Sequence, residues 1–229
     1  APRATRGHGA VVAAAVARQF GGARRRLIEE LESKRIGDIA VLKAFDDVPR
    51  HHFVPSGLAH RAYEDAPLPI GHGQTISQPS VHARFLSLLR LAGREKVLEI
   101  GTGSGFQAAL LTRLASAVFS IERIPALAEA ARVSLRACGI DQVIQRVGDG
   151  TLGWPEMGPY DAILVGAASP EIPLPLTEQL AVGGQLLVPV GDRNGQALVR
   201  VIRSPDGLRE KRLDPMRFVP LIGAHGFEA

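Results

Sequence analysis

The sequence predicts an α/β fold: a doubly wound, mostly parallel sheet with a helical N-terminal extension and antiparallel strands at its C-terminal edge. Three observations predict it. Apolar runs of strand length alternate with segments of helical spacing from Lys96 to Val190. A run of strands with no helix between them follows, from Ala197 to Leu221. And the stretch from Lys96 to Glu122 reads strand, glycine turn, helix, strand, acid, which is the order of a ligand-holding βαβ unit.

That stretch organises the rest. Val97-Leu98-Glu99-Ile100 is a short strand, and Gly101, Gly103 and Gly105 follow at every second position. The glycines permit a tight turn and a close ligand approach. Phe106 to Ala115 reads as a helix, whose start offers unpaired N–H groups. A second strand, from Ala117 to Ile121, ends on Glu122. A carboxylate there, about 20 residues past the turn, suits the hydroxyls of a ribose. The dinucleotide fingerprint needs a third glycine where this chain has Phe106, and Glu99 ahead of the turn would oppose a pyrophosphate. It would suit a ligand bearing an ammonium and a sulfonium, so the spacing favours S-adenosylmethionine over NAD.

The remaining elements follow in order. Residues 1–22 are rich in Ala, Gly and Arg and close on Gly21-Gly22, a predicted break. The apolar run 10–17 resembles a short signal segment, but Arg18 follows at once; it is read as a helical extension, with export the alternative. Arg24 to Lys34 is an amphipathic helix with Leu27, Ile28 and Leu31 on one face. Asp38 caps a second helix through Phe45 that buries Ile39, Val41 and Leu42. Pro49 and Pro55 break helical continuity. Residues 67–79, P-L-P-I-G-H-G-Q-T-I-S-Q-P, hold too many prolines and glycines for a central strand and make a candidate substrate loop. Helices over 80–91 and from Pro125 to Ala137 flank the central unit. Strands are predicted over 143–147, 160–165, 184–190, 197–203, 208–213 and 217–221, with a short helix over 174–180. The chain divides into an extension, 1–22, and one domain, 23–229; within it, 23–94 is helical and carries the loop, and 95–229 is the cofactor-binding core.

Composition narrows the class. The 229 residues suffice for one α/β domain with an appendage. Net charge is only +4, so a nucleic-acid surface is less favoured than a solvated basic helix face. Cys138 is the only cysteine, which excludes an internal disulfide and suits a reducing, cytoplasmic compartment. His51, His52, His60, His72 and His82 crowd one region without the spacing of a zinc site, so no metal is expected.

These residues resemble one family, the protein-L-isoaspartate (D-aspartate) O-methyltransferases, which are Rossmann-like class I S-adenosylmethionine enzymes. The likeness covers nearly all of Arg24 to Leu221 and rests on P-I-G-x-G-Q-T-I-S-x-P at 69–79, V-L-E-I-G-T-G-S-G at 97–105, G-D-G at 148–150, Y-D-A-I-x-V-x-A-A from 160 with the glycine-rich stretch to 191, and R-F-V-P-L at 217–221. The resemblance implies methyl transfer to the free α-carboxylate of an L-isoaspartyl residue, with S-adenosylhomocysteine as product and a succinimide formed from the ester. It implies that Ser77 orients the reacting carboxylate, with Thr75, Ile76 and Gln78 in the same cleft. Val165, Gly166, Ala167 and Ala168 would offer backbone to an extended substrate beside a wall of Val219, Pro220 and Leu221. On the donor side, Glu99, Gly101, Thr102, Gly103, Ser104 and Gly105 face the methionine part. Glu122 with Arg123 meets the ribose, and Asp149 with Gly150 the adenine. The expected partners are damaged proteins and peptides, with no nucleic acid or membrane, and the enzyme is expected to be a monomer.

The nucleophile is already an anion and the sulfonium an excellent methyl donor, so positioning and exclusion of water suffice. The competing functions are a class I methyltransferase acting on a small molecule or RNA, and a non-catalytic relative that only binds. Bland roles stand beside the functional ones: Ser77 as a turn residue, Glu122 as a helix cap, Asp149 as a turn former, Cys138 as a small buried hydrophobe, Phe106 and Trp154 as packing.

Overall fold

The computed structural model describes residues 6–228, with side chains described from Phe20 onward. Helix α1 (Arg6–Ser33) runs unbroken through Gly21-Gly22, where the sequence predicts a break. Two helical glycines cost about 1 kcal/mol each relative to alanine. Tertiary packing offsets that: Leu27 and Leu31 are buried, and the Phe20 ring stacks on His51 with centroids 4.2 Å apart. The apolar run 10–17 falls within α1, and its side chains lie outside the described residues.

Helix α2 (Ile39–Asp47) begins as expected, with Asp38 Oδ1 accepting from the N–H groups of Ala40 and Val41. Its buried stripe is Val41, Leu42, Ala44 and Phe45, whereas Ile39 is 82% exposed. Two residues ahead of Val41 means about 200° around the helix, so Ile39 falls on the outer face. Two 3-10 turns follow, Arg50–Phe53 and Ser56–Arg61. The candidate loop is in part a separate antiparallel hairpin, β1 (Leu68–Gly71) with β2 (Gln74–Ile76), turned at His72 and Gly73 with φ of 52° and 68°. Positive φ at both turn residues matches the right-handed twist of the arms.

Helix α3 (Pro79–Leu89) leads into the main sheet. The strands are β3 (Lys96–Ile100), β4 (Ala117–Glu122), β5 (Val143–Val147), β6 (Tyr160–Val165), β7 (Leu180–Gly191), β8 (Gln196–Ser204) and β9 (Gly207–Met216), in spatial order β5-β4-β3-β6-β7-β8-β9. Pairing is parallel from β5 to β7 and antiparallel beyond. The predicted strand over 217–221 is not a ladder member; Pro220 makes a single bridge to Ala168. Helices α4 (Phe106–Leu111), α5 (Pro125–Ala137) and α6 (Leu174–Glu178) complete the layers.

Alternate residues of each central strand enter separate cores. Val97, Val118, Ala162 and Leu187 pack with α1 to α4 on one face. Leu98, Phe119, Ile163 and Leu186 pack with Leu176 of α6 on the other. The chain winds outward from β3 through β4 to β5, then returns to place β6 on the opposite side of β3. That reversal opens a crevice at the carboxyl ends of β3 and β6, where ligands of such sheets bind.

Candidate active site

The crevice holds two adjoining chambers. Gly101, Gly103 and Gly105 all take positive φ (91°, 54° and 86°), which turns the chain sharply from β3 into α4. A side chain on Gly105 would meet the Ala131 Cβ at 3.1 Å, so this glycine also lets α5 pack close. Opposite, the hairpin leans over the turn: a Cβ on Gly103 would lie 3.5 Å from Ile70 Cδ1.

The first chamber has an apolar bed of Ile100, Ile121 and Leu127, with Glu122 and Arg123 at one side and Gly150 at the end. Gly150 is a close-approach position, because any Cβ there would run into the Ile100 side chain. Glu122 is almost buried. Its Oε2 accepts from Gly103 N–H at 2.8 Å and its Oε1 from Ile124 N–H at 2.9 Å. It is thus a cap and a turn brace, with a lone pair left on each oxygen for a ligand hydroxyl. Gly166, Ala167, Val219, Pro220 and Leu221 form the far wall, and Thr75 of the hairpin the lid.

The second chamber joins the first at Thr75, Gly101, Gly103 and Gly166. It brings together Thr75, Ile76 and Ser77 from the flap with Thr102 and Ser104 from the glycine turn. Its outer wall is Phe218, stacked on Phe85 with centroids 5.5 Å apart. Below the turn lies a polar floor. Glu99 is fully buried, and the Ser120 hydroxyl lies 2.5 Å from both Glu99 Oε2 and Thr102 Oγ1. Glu99 Oε1 has no partner among the described residues. Burial pushes the Glu99 carboxyl up to about 8; the Ser120 hydrogen bond and the nearby Gln107 amide oppose the rise, and the Glu122 charge adds to it.

His82 continues the floor. Its Nδ1 lies 2.7 Å from Gln107 Oε1, so Nδ1 carries the proton and Nε2 is left a lone-pair acceptor, buried and without a partner among the described residues. Burial drops its pKa to about 3, aided by the Arg50 charge, so the ring is neutral. Sequence reasoning counted His82 only within the histidine cluster. Helical spacing from Pro79 could have turned it inward, but nothing in the sequence marks Gln107 as its partner. Among the described residues no three of His, Cys, Asp and Glu come together in a metal-holding group.

Several expected site residues are not among those lining the two chambers. Asp149 does not line either chamber. Its Oδ1 accepts from the N–H and hydroxyl of Thr151 and its Oδ2 from Ala224 N–H, so it caps a 3-10 turn and holds the C-terminal segment. Val165 is fully buried in the sheet. Ala168 spends its N–H on Val219 and its carbonyl on Leu221, so the chain's own wall takes the pairing expected for a substrate. The Gln78 side chain turns back to Ser80 Oγ at 2.9 Å. Gly105 acts through packing. Ile222, absent from the sequence-based set, lines the first chamber.

Comparison with known proteins agrees with this geometry. A family model described as protein-L-isoaspartate(D-aspartate) O-methyltransferase matches residues 23–226, five residues past the likeness seen in the sequence. A protein-L-isoaspartate O-methyltransferase 1 of Syntrophobacter fumaroxidans is 53% identical over 91% of this chain and 98% of its own. One from Methanoregula boonei is 52% identical over 90% and 95%. A solved structure described as a protein-L-isoaspartate O-methyltransferase superposes with a TM-score of 0.80 at 31% identity, covering 89% of this chain and 67% of that one. A Plasmodium falciparum structure, described as a β-aspartate methyltransferase in complex with S-adenosyl-L-homocysteine, gives 0.74 at 25% identity, covering 87% and 98%. The paired chambers at the sheet switch point and the match across residues 23–226 together place this chain in the protein-L-isoaspartate(D-aspartate) O-methyltransferase family.

Proposed function

We propose that this chain is a protein-repair methyltransferase. It transfers a methyl group from S-adenosyl-L-methionine to the free α-carboxylate of L-isoaspartyl residues in damaged proteins and peptides, with D-aspartyl residues as a second target. The methyl ester converts to a succinimide, and S-adenosyl-L-homocysteine is released.

The residues present fit the donor. The first chamber offers an apolar bed ended by Gly150 for an adenine, and Glu122 lone pairs for ribose hydroxyls. Beneath the turn wait two acceptors without partners among the described residues, Glu99 Oε1 and His82 Nε2, which suit an ammonium. When bound, the donor supplies an electrophilic methyl group on a positively charged sulfur. The protein's own work is placement. Ser77, beside the glycine turn, donates from its hydroxyl to one carboxylate oxygen and leaves the other free to attack. Thr75, Ile76 and Phe218 close over the pair and exclude water. Gly166 and Ala167 border the substrate's main chain, and Val219 to Leu221 wall it.

One observation carries this reading: the flap serine and the glycine turn share a single chamber. Labelled donor supplied with a matched isoaspartyl and aspartyl peptide pair tests it. Base-labile methyl ester is expected on the isoaspartyl peptide alone; equal labelling of both, or labelling of neither, rejects it. Within the chain, 23–94 supplies the flap and 95–229 the donor site, with 1–22 an appendage. A monomer in a reducing cytoplasmic compartment suits the single cysteine, and sedimentation and cell fractionation check those two points.

A further inference from the structure

Behind the flap lies a buried cation with no partner acid among the described residues. Arg50, in the first 3-10 turn, is 1% exposed. Its Nε donates to the Ala62 carbonyl at 2.7 Å and its Nη2 to the Ser77 carbonyl at 3.0 Å. The guanidinium carbon sits 4.8 Å from the centre of the Phe106 ring, at the end of the glycine turn. Nη1 has no partner among the described residues. The nearest acid, Asp65, acts only through space, and its oxygens are held by Lys34 and by the Ser80 N–H. Burial lowers the Arg50 pKa to about 9, with Asp65 and Tyr63 opposing, so the group is still a cation at neutral pH.

A buried cation is a costly way to fill this space. An apolar side chain of similar volume would fill the space without the cost of a desolvated charge. The position of the charge is what is unusual: it touches the very carbonyl of the flap serine. A trans peptide points its N–H opposite to its C=O, so the Gln78 N–H is directed away from Arg50. That N–H has no acceptor among the described residues. Hydrogen bonds in series polarise one another, so a cation on the carbonyl makes the Gln78 N–H a stronger donor beside Ser77.

We propose that Arg50 is a positioning residue for the carboxylate substrate: held one peptide group behind Ser77, it fixes the flap and lends positive charge, through the Ser77–Gln78 peptide, to the place where the reacting carboxylate rests. The inference rests on the function proposed above. Direct contact would be counterproductive, since a guanidinium binds carboxylates through both oxygens and would engage the lone pair that must attack carbon. One peptide removed, it attracts the anion and leaves the nucleophile free. Its effect therefore falls on substrate affinity more than on turnover.

The test compares the unaltered chain with Arg50→Gln and Arg50→Lys. Three quantities are read: Kd for S-adenosyl-L-homocysteine, kcat and KM on an isoaspartyl peptide, and Ki of the matched isoasparaginyl peptide, whose carboxamide is neutral. The unaltered chain is expected to prefer the acid over the amide at least tenfold. In Arg50→Gln, KM rises at least tenfold while kcat, the amide Ki and the cofactor Kd stay within about threefold, so the preference collapses. In Arg50→Lys the charge remains but the fork is lost, so both peptides weaken together and the preference survives. Equal weakening of both peptides in Arg50→Gln, or a fall in kcat at constant KM, overturns the proposal. Should Arg50→Gln fail to bind cofactor, Arg50→Lys decides: a retained preference supports the proposal and a lost one overturns it. An unaltered chain inert toward isoaspartyl peptide sinks the parent function and this inference together, whereas equal weakening against an active background sinks only the role of Arg50.

Discussion

Glu99 is a buried acid with one oxygen unpaired among the described residues, and docking of the donor's ammonium there, as proposed above, should make cofactor binding a proton-release reaction. With its pKa pushed to about 8 by burial, the carboxyl is mostly protonated at neutral pH until a cation meets it. A ligand ammonium against Oε1 requires the carboxylate. Ionising a group of that pKa at pH 7 costs about 1.4 kcal/mol, about tenfold in affinity, and at pH 6 about 2.7 kcal/mol. Affinity for S-adenosyl-L-homocysteine should therefore climb by about tenfold per unit between pH 6 and pH 7.5. Calorimetry at pH 6.5 in two buffers of different ionisation enthalpy counts the protons. The ligand's own α-amino group, a free amino-acid amine more basic than a peptide N-terminus, is charged at that pH and contributes little. About one proton released per ligand is expected. Glu99→Gln should bind more weakly, release none and lose the pH slope. No release from the unaltered chain, or the same release from Glu99→Gln, would refute the assignment.

Four further outcomes follow from the same structure. Ser77→Ala should lower kcat by about 10- to 100-fold through misplacement of the carboxylate, with Kd for S-adenosyl-L-homocysteine within about twofold; lost cofactor binding instead would mean that the serine has another role. Gly150→Ala drives a Cβ into Ile100 and should lower Tm by several degrees, from about 1–3 kcal/mol of overpacking, and weaken cofactor binding; Gly103→Ala, with 3.5 Å to its nearest neighbour, should pay mainly the backbone strain of about 1–2 kcal/mol. His51 and His82 have pKa values lowered to about 4 and about 3, chiefly by burial, so the unfolded chain binds protons that the folded chain excludes; stability should fall as pH drops from about 6.5 toward 4, and urea melts of His82→Gln should show a shallower loss. Asp149→Ala should speed amide exchange at Ala224 and His225, whose N–H groups it holds directly or through Thr151; unchanged exchange would show that the segment closes without it.

What the sequence made legible was local. Strand, glycine turn and acid are neighbours in the chain, so periodicity and spacing place them, and β3, β4 and Glu122 lie as expected. Ile39 is exposed because it lies about 200° around α2 from Val41, and α1 runs on through Gly21-Gly22 because the packing of Phe20 and Leu27, which propensity ignores, holds it. Asp149 also has a structural role that the sequence does not mark. Its spacing suits a ligand, but its oxygens are claimed by Thr151 and by residue 224, which no local pattern connects to it. Arg50 and His82 were hidden in the same way: their importance comes from Ser77 and Gln107, each 25 or more residues away.

The donor chamber takes its walls from residues 75, 101, 122, 150, 167 and 220, which meet only when hairpin, sheet and tail have all arrived. A partly assembled chain has no such chamber to offer. Ligand then selects the finished molecule over every incomplete one, by RT ln(1 + [L]/Kd), about 2.7 kcal/mol at a hundredfold excess over Kd. For a catalyst that mends ageing proteins, its own working supply of methyl donor doubles as protection against its own unravelling.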